Sequence, residues 1–255
     1  MIHPTAIIHP KAQLGQGVEV GPYCVIGEHV RLGDGCRLVS HVVLDGLTTI
    51  GSGNSFYPFA CIGLQTQDLK YRGGKCYVEI GSGNTFREYA TVHASTFDGG
   101  KTVVGNNGNF LAYTHIAHDC LVGDHVIMSN VGTLAGHVTV EDRAVVGGLT
   151  AIHQFVRIGK MAMLGGCSKV VQDIPPFMIG DGHPAEVRTI NKEGLKRNGV
   201  SEEAQSHLRS AFKLLFRSGL NLTAAVERIQ KEIPPCPEVA YLVDFVQKSE
   251  RGISK

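Results

Sequence analysis

A bulky apolar residue recurs at every sixth position through most of this chain, and that period constrains the fold more than any other feature. Starting at Ile8, the steps fall on Leu14, Val20, Ile26, Leu32, Leu38, Leu44, Ile50, Phe56 and Ile62. The phase passes over Asp68 and Gly74 and resumes unshifted at Ile80, Phe86 and Val92. It passes over Asp98, then runs from Val104 through Phe110, Ile116, Val122, Met128, Leu134, Val140, Val146, Ile152 and Ile158 to Leu164. Hydrophobic residues make up 43% of the chain, too few for chance to produce such a run. The position two before the bulky residue tends to be small or β-branched, as at Ala12, Cys24, Val30, Cys36, Ala60, Ala90, Cys120 and Ala144. Glycine often follows it, as at Gly15, Gly27, Gly33, Gly81, Gly105 and Gly123, which suits a sharp corner. Two inward side chains in each hexad describe a short strand and a corner, stacked on its neighbours as a parallel β-helix from about residue 8 to 164. An amphipathic helix would need a 3.6-residue spacing, which this stretch does not show.

The two interruptions, roughly 64–77 and 94–101, are expected to project from the solenoid as loops, and long loops in so regular an array usually carry function. After Asp173-Ile174-Pro175-Pro176 the hexads stop. Ser201 can cap a helix with a stripe of Ala204, Leu208, Ala211 and Leu215, and apolar runs at 222–233 and 238–246 read as two more helices. The solenoid is therefore assigned to residues 1–186. A small helical domain is assigned to 187–255, where it would cover backbone edges left open at one end.

With 24 Lys and Arg against 23 Asp and Glu, net charge says nothing about nucleic acid or membrane partners, and none is expected. No apolar run approaches the roughly 20 residues that span a bilayer. The N-terminal MIHPTAIIHP lacks the basic and apolar regions of a signal peptide. Seven cysteines without a CxxC pair read as reduced thiols of a cytoplasmic protein.

Histidines gather in the last coils at 115, 118, 125, 137 and 153. The hexad resembles that of the hexapeptide-repeat acyltransferases, whose coils hold three hexads, about 18 residues, and this implies that positions 118, 136 and 154 stack about 4.8 Å apart. That column holds His118, Gly136 and Gln154, with His137 and His153 beside it. A histidine near neutral pKa can act as general base, and a backbone N–H unshielded by a side chain can hold an oxyanion. The grouping suits acyl transfer.

Local strings sharpen this reading. HIAHDC at 115–120, LAGH at 134–137, IHQF at 152–155, GGCS at 165–168, QDLKY at 67–71 and NKEGLKR at 191–197 occur in one order. Together they closely resemble the hexapeptide-repeat UDP-N-acetylglucosamine O-acyltransferases that open lipid A biosynthesis, over nearly the whole chain. That resemblance implies a left-handed parallel β-helix with three hexads per coil and a C-terminal helical domain. It implies transfer of a 3-hydroxy fatty acyl group from acyl carrier protein to the 3-hydroxyl of the nucleotide sugar, without cofactor, metal or covalent intermediate. His118 would be the base, Gly136 the oxyanion donor and Asp119 the support of the base. Adjacent strand residues face opposite ways, so Asp119 can serve His118 only if a corner falls between strands there. Gln67, Asp68, Lys70, His115, His137, His153 and Gln154 match sugar and phosphate contacts. Asn191, Glu193 and Arg197 match nucleotide contacts, for which a guanidinium is apt. Gly166 matches the position that limits acyl length, and Arg209, Lys213 and Arg217 match a docking patch for the acidic carrier protein. The resemblance further implies a homotrimer with the cleft between subunits, so that the 64–77 loop can serve a neighbour's site.

Three departures from the family strings bear on the site. Asn198 follows Arg197 where relatives carry a second arginine, which weakens a phosphate contact. His93-Ala94-Ser95-Thr96 replaces His-Arg-Gly-Thr, and Gly73-Gly74-Lys75-Cys76 replaces Gly-Glu-Pro-Thr, so loop shape and the choice between a hydroxy and a 3-amino sugar stay open. Other classes fit less well. The γ-type carbonic anhydrases place two zinc-binding histidines five residues apart, whereas no H-x4-H occurs here. A non-catalytic scaffold explains the repeat but not His118 with Gly136. The related sugar N-acyltransferase carries an extra N-terminal domain. There is no GxSxG elbow, and Cys120 and Cys167 read as packing residues.

Overall fold

Each hexad folds as a strand of mostly two residues followed by a corner, and the inward member of each pair is the bulky residue of the repeat, as in His115–Ile116 and Thr133–Leu134. The computed structural model describes residues 1–255, which form a left-handed parallel β-helix closed at its C-terminal end by helices. Three sheets of 9, 8 and 10 strands make the prism walls. Successive coils pair 18 positions apart, as in His115↔Thr133 and Ile116↔Leu134. Across the first interruption Cys61 pairs with Thr91, an offset of 30 and so 12 residues more than a coil. Across the second Thr91 pairs with His115, an offset of 24 and so 6 more. The insertions are thus two hexads and one hexad long, and the interior stays in register through both.

Like residues stack on like inside the prism. Phe56, Phe86 and Phe110 are fully buried and stack with ring centroids 5.2 and 4.8 Å apart. Each such side chain contributes roughly 1.5–3 kcal/mol on burial. Cys24, Cys36, Ala60, Cys120 and Ala144 are also fully buried, because the corner leaves room only for small groups. All seven cysteines are free thiols.

The C-terminal part has its own core, separate from the 41-residue core of the solenoid. The strand Met178–Gly182 adds in parallel to the last coil, and Ala185–Ile190 folds back antiparallel on it. This second strand spans the expected boundary between residues 186 and 187. Four helices follow: α1 at Lys192–Arg197, α2 at Glu202–Phe216, α3 at Leu222–Glu232 and α4 at Pro237–Gln247. The hydroxyl of Ser201 caps α2 by accepting the Ala204 N–H at 3.1 Å, worth about 1 kcal/mol. Ala204, Leu208, Ala211 and Leu215 form its buried stripe. Neither the hairpin nor the six-residue α1 is among the elements expected from the sequence. The closing segment returns to the coils, where the Asp173 N–H donates to Gly252 O at 3.0 Å and the Ser254 N–H to Asp173 O at 2.9 Å. No helix is long and apolar enough to cross a membrane.

Candidate active site

His118 and Asp119 occupy a corner between two strands, and the corner solves the facing problem. Asp119 has φ +60°, a left-handed conformation that aspartate tolerates better than most residues and that turns its side chain to the same side as His118. His137 and Phe155 hold the same corner one and two coils on, at φ +60° and +65°. The backbone ties these levels together, with the His137 N–H donating to His118 O at 3.0 Å and the Phe155 N–H to Gly136 O at 3.3 Å.

His118 is buried, and its Nδ1 lies 2.8 Å from Asp119 Oδ2. A carboxylate only accepts, so Nδ1 carries the proton and the neutral ring keeps the lone pair on Nε2. The Asp119 carboxyl is pushed up by burial, but hydrogen bonds from Ser95 and His118 and the Thr96 N–H outweigh that and hold it below the usual range. It is therefore an anion at neutral pH. Asp68 Oδ2 lies 3.7 Å from His118 Nε2, so two acceptors stand side by side where a ligand's hydroxyl groups can donate to them.

Gly136 lies directly against this imidazole. A Cβ at that position would overlap Cε1 and Nε2 of His118 and stand 2.9 Å from Nδ1. The missing side chain is what lets the ring sit there, and the Gly136 N–H donates to no acceptor in the protein. Base and free donor thus share one surface.

Burial disfavours the charged form of the neighbouring His93, His115 and His137. His115 accepts or donates at Nδ1 with Thr91 Oγ1 at 2.7 Å, and burial, with help from His93 and His118, pushes its pKa down to about 4. His137 packs edge-on to His118 at 5.2 Å and stacks on Phe155 at 4.7 Å. Burial lowers its pKa, although Asp119 pulls the other way. The donor atoms of His118, Asp119 and His137 lie within 4.8 Å of one another, the one cluster able to hold a metal ion.

The chain has relatives of known kind in both sequence and structure. Residues 173–254 match the family described as UDP N-acetylglucosamine O-acyltransferase, domain 2, and residues 11–46 match the bacterial transferase hexapeptide family of six repeats. An acyl-(acyl-carrier-protein)–UDP-N-acetylglucosamine O-acyltransferase of Thermodesulfovibrio yellowstonii is 49% identical over 255 residues, covering 100% of this chain and 99% of that one. Its counterpart from Verminephrobacter eiseniae is 45% identical over 258 residues, covering 99% and 98%. The crystal structure of a UDP-N-acetylglucosamine acyltransferase from Bacteroides fragilis superposes with TM-score 0.96 at 37% identity, covering 100% of both chains. The chain belongs to the UDP-N-acetylglucosamine O-acyltransferase family.

The residues carried over from that family are not all brought together. His118, Asp119, Gly136, Asp68, His115 and His137 converge at the corner described above. The Asp68 loop reaches His118 of its own chain, with Asp68 Oδ1 accepting the Lys70 N–H at 2.9 Å. Gln67, Lys70 and His153 are exposed, and Gln154 is half-buried beside His153, whose Nδ1 lies 3.2 Å from Gln154 O. Asn191, Glu193 and Arg197 sit on α1. Asn191 is buried there as a cap, its Oδ1 accepting the Gly194 N–H at 3.0 Å and its Nδ2 donating to Met161 O at 2.9 Å. Arg209, Lys213 and Arg217 form an exposed row on α2 and its C-cap with no acidic partner. Gly166 lies on a different corner, next to Cys167, which is exposed and so is not the packing residue expected. Cys120 does pack: it is fully buried, and that burial pushes its thiol up to about 12.

Several partners escape sequence reasoning. Ser95 and the Thr96 N–H bind Asp119, and Thr102 Oγ1 accepts the Asp119 N–H at 2.8 Å. The only signal for them is the departure at 93–96. Arg143 donates to Asn198 Oδ1 at 2.7 Å, across 55 positions that no local pattern links.

Proposed function

We propose that the chain transfers a 3-hydroxy fatty acyl group from acyl carrier protein to the 3-hydroxyl of UDP-N-acetylglucosamine, the first step of lipid A biosynthesis. The observation that carries this is His118, with its Nδ1 proton committed to Asp119 and its Nε2 lone pair free above Gly136. Nε2 takes the proton of the sugar 3-hydroxyl as that oxygen attacks the thioester carbonyl. The tetrahedral oxyanion accepts the free Gly136 N–H. Asp119 stabilises the imidazolium through Nδ1. Collapse breaks the C–S bond, and His118 returns the proton to the departing thiolate of the carrier. No covalent acyl-enzyme forms.

Asp68, His115 and His137 contact the sugar together with Gln67, Lys70, His153 and Gln154, and Asn191, Glu193 and Arg197 hold the nucleotide. The unpaired row Arg209, Lys213, Arg217 docks the acidic carrier protein. Gly166 leaves the acyl groove open. The enzyme works as a cytoplasmic homotrimer, a reading supported by an exposed ridge along one prism edge. There Tyr23, His41, Phe59, Tyr89 and Tyr113 stack at 5.0, 4.9, 4.9 and 4.7 Å, and Val131 and Leu149 continue the exposed line. An apolar ridge of that length marks a contact surface.

The test is product analysis by mass spectrometry, using carrier thioesters with UDP-N-acetylglucosamine or its 3-amino analogue, with and without a chelator. Ester on the hydroxy sugar, unaffected by chelation, is expected. Amide from the amino sugar alone would replace the acceptor. Activity lost on chelation and restored by zinc would favour metal chemistry at His118, Asp119 and His137.

A further inference from the structure

We infer that Ser95 is a positioning residue for the His118–Asp119 pair; the inference rests on the acyl-transfer reading above. Ser95 is fully buried in the one-hexad insertion, and its Oγ hydrogen-bonds Asp119 Oδ1. The direction of that bond follows from chemistry. Asp119 is held in its ionised form and can only accept, so the hydroxyl donates. A hydroxyl has one proton, so Ser95 keeps its lone pairs for the Phe97 N–H, which it accepts at 3.1 Å.

Asp119 is consequently gripped at both oxygens. Oδ2 accepts the His118 Nδ1–H at 2.8 Å and the Thr96 N–H at 3.2 Å, while Oδ1 has Ser95 as its hydrogen-bond donor. Without Ser95 all anchors lie on Oδ2 and the carboxylate can swing about its Cβ–Cγ bond, taking His118 with it. Ser95 also draws negative charge from the carboxylate. Removing it leaves the orientation of the carboxylate, and with it that of the imidazole, unfixed. Serine in the string His93-Ala94-Ser95-Thr96 takes the place of the glycine in the strings this chain otherwise resembles, so the grip is a feature of this chain.

The experiment compares Ser95→Ala and Ser95→Gly with the full-length enzyme, measuring kcat, KM for the nucleotide sugar, and melting temperature. A hydrogen bond to a charged group contributes enough that both variants should lose about tenfold in kcat, with KM within about twofold. If Ser95 only holds the turn to Phe97, melting temperature falls while kcat at a temperature where the variant is folded stays within about twofold of wild type, and the inference is overturned. A rise in KM that matches the loss in kcat overturns it as well. His118→Ala is run alongside: if it still turns over, the underlying reading fails, whereas an inactive His118→Ala with wild-type kcat in both Ser95 variants rejects the Ser95 role alone.

Discussion

Lengthening the side chain at Gly166 should shorten the acyl chain the enzyme prefers. A Cβ at this position would meet only Gly148, 3.3 Å from its O and 4.0 Å from its N, and the backbone there is not left-handed. Bulk can therefore enter with a small adjustment of one neighbour. At Gly165 a Cβ would overlap Asp181 Oδ1 and stand 2.7 Å from its Cγ, so that side chain would have to swing away. Position 166 is exposed beside Cys167 on the edge that also carries Val131 and Leu149, so the hydrocarbon would lie along the proposed subunit contact. The family resemblance implies a donor of about fourteen carbons, and burial of each methylene contributes about 0.8 kcal/mol. A methionine that excludes around four carbons removes roughly 3 kcal/mol from binding of the long donor, more than a hundredfold. Short donors end before the obstruction and should lose little. The assay is kcat/KM of Gly166→Met for ten- and fourteen-carbon carrier thioesters, with melting temperature as a control for fold. The preference should invert. An unchanged ratio in a folded variant would place the ruler elsewhere and refute the reasoning.

Two further predictions concern the site and its partner. Gly136→Ala should keep the β-helix but displace the His118 ring, whose atoms its Cβ would overlap, and misplacement of a base by about 1 Å costs roughly a hundredfold in kcat; near-normal turnover would show that the ring and Gly136 need not share that surface. Reversing charge at Arg209, Lys213 and Arg217 should raise KM for the carrier thioester and blunt its salt dependence while leaving nucleotide-sugar affinity intact; equal loss for both ligands, measured by titration calorimetry, would indicate misfolding instead.

The hexad made the solenoid legible because every coil repeats one rule, with a bulky residue inward and a small one before the corner. Even the insertions could be placed, since skipping Asp68, Gly74 and Asp98 without a phase shift implies whole hexads, and the offsets of 30 and 24 match that. Where long-range contact decides structure, the pattern fell silent. The hairpin 178–190 pairs with the last coil rather than following a repeat, and α1 is too short for periodicity to register. Within the site, the His118 and Gly136 column followed from the 18-residue coil. The service of Asp119 to His118 depended on a left-handed φ that no side-chain alternation reveals. Ser95 stands 24 positions before Asp119, joined to it only by the extra hexad, so its place beside the carboxylate was invisible until the coils were stacked. Cys167 misled because small residues near glycines usually pack, while this one sits on the outside of a corner.

The central claim is that His118 removes the acceptor proton in a direct transfer, and single-turnover kinetics of His118→Ala test it most directly. Wild-type and variant are mixed in excess with radiolabelled acyl carrier thioester and nucleotide sugar, and product and protein-bound label are followed together. The account predicts a rate lower by roughly 10²- to 10⁴-fold in a variant with unchanged melting temperature, and no label on either protein at any time. Near-normal product formation by His118→Ala, or label accumulating on the protein before product appears, would contradict it.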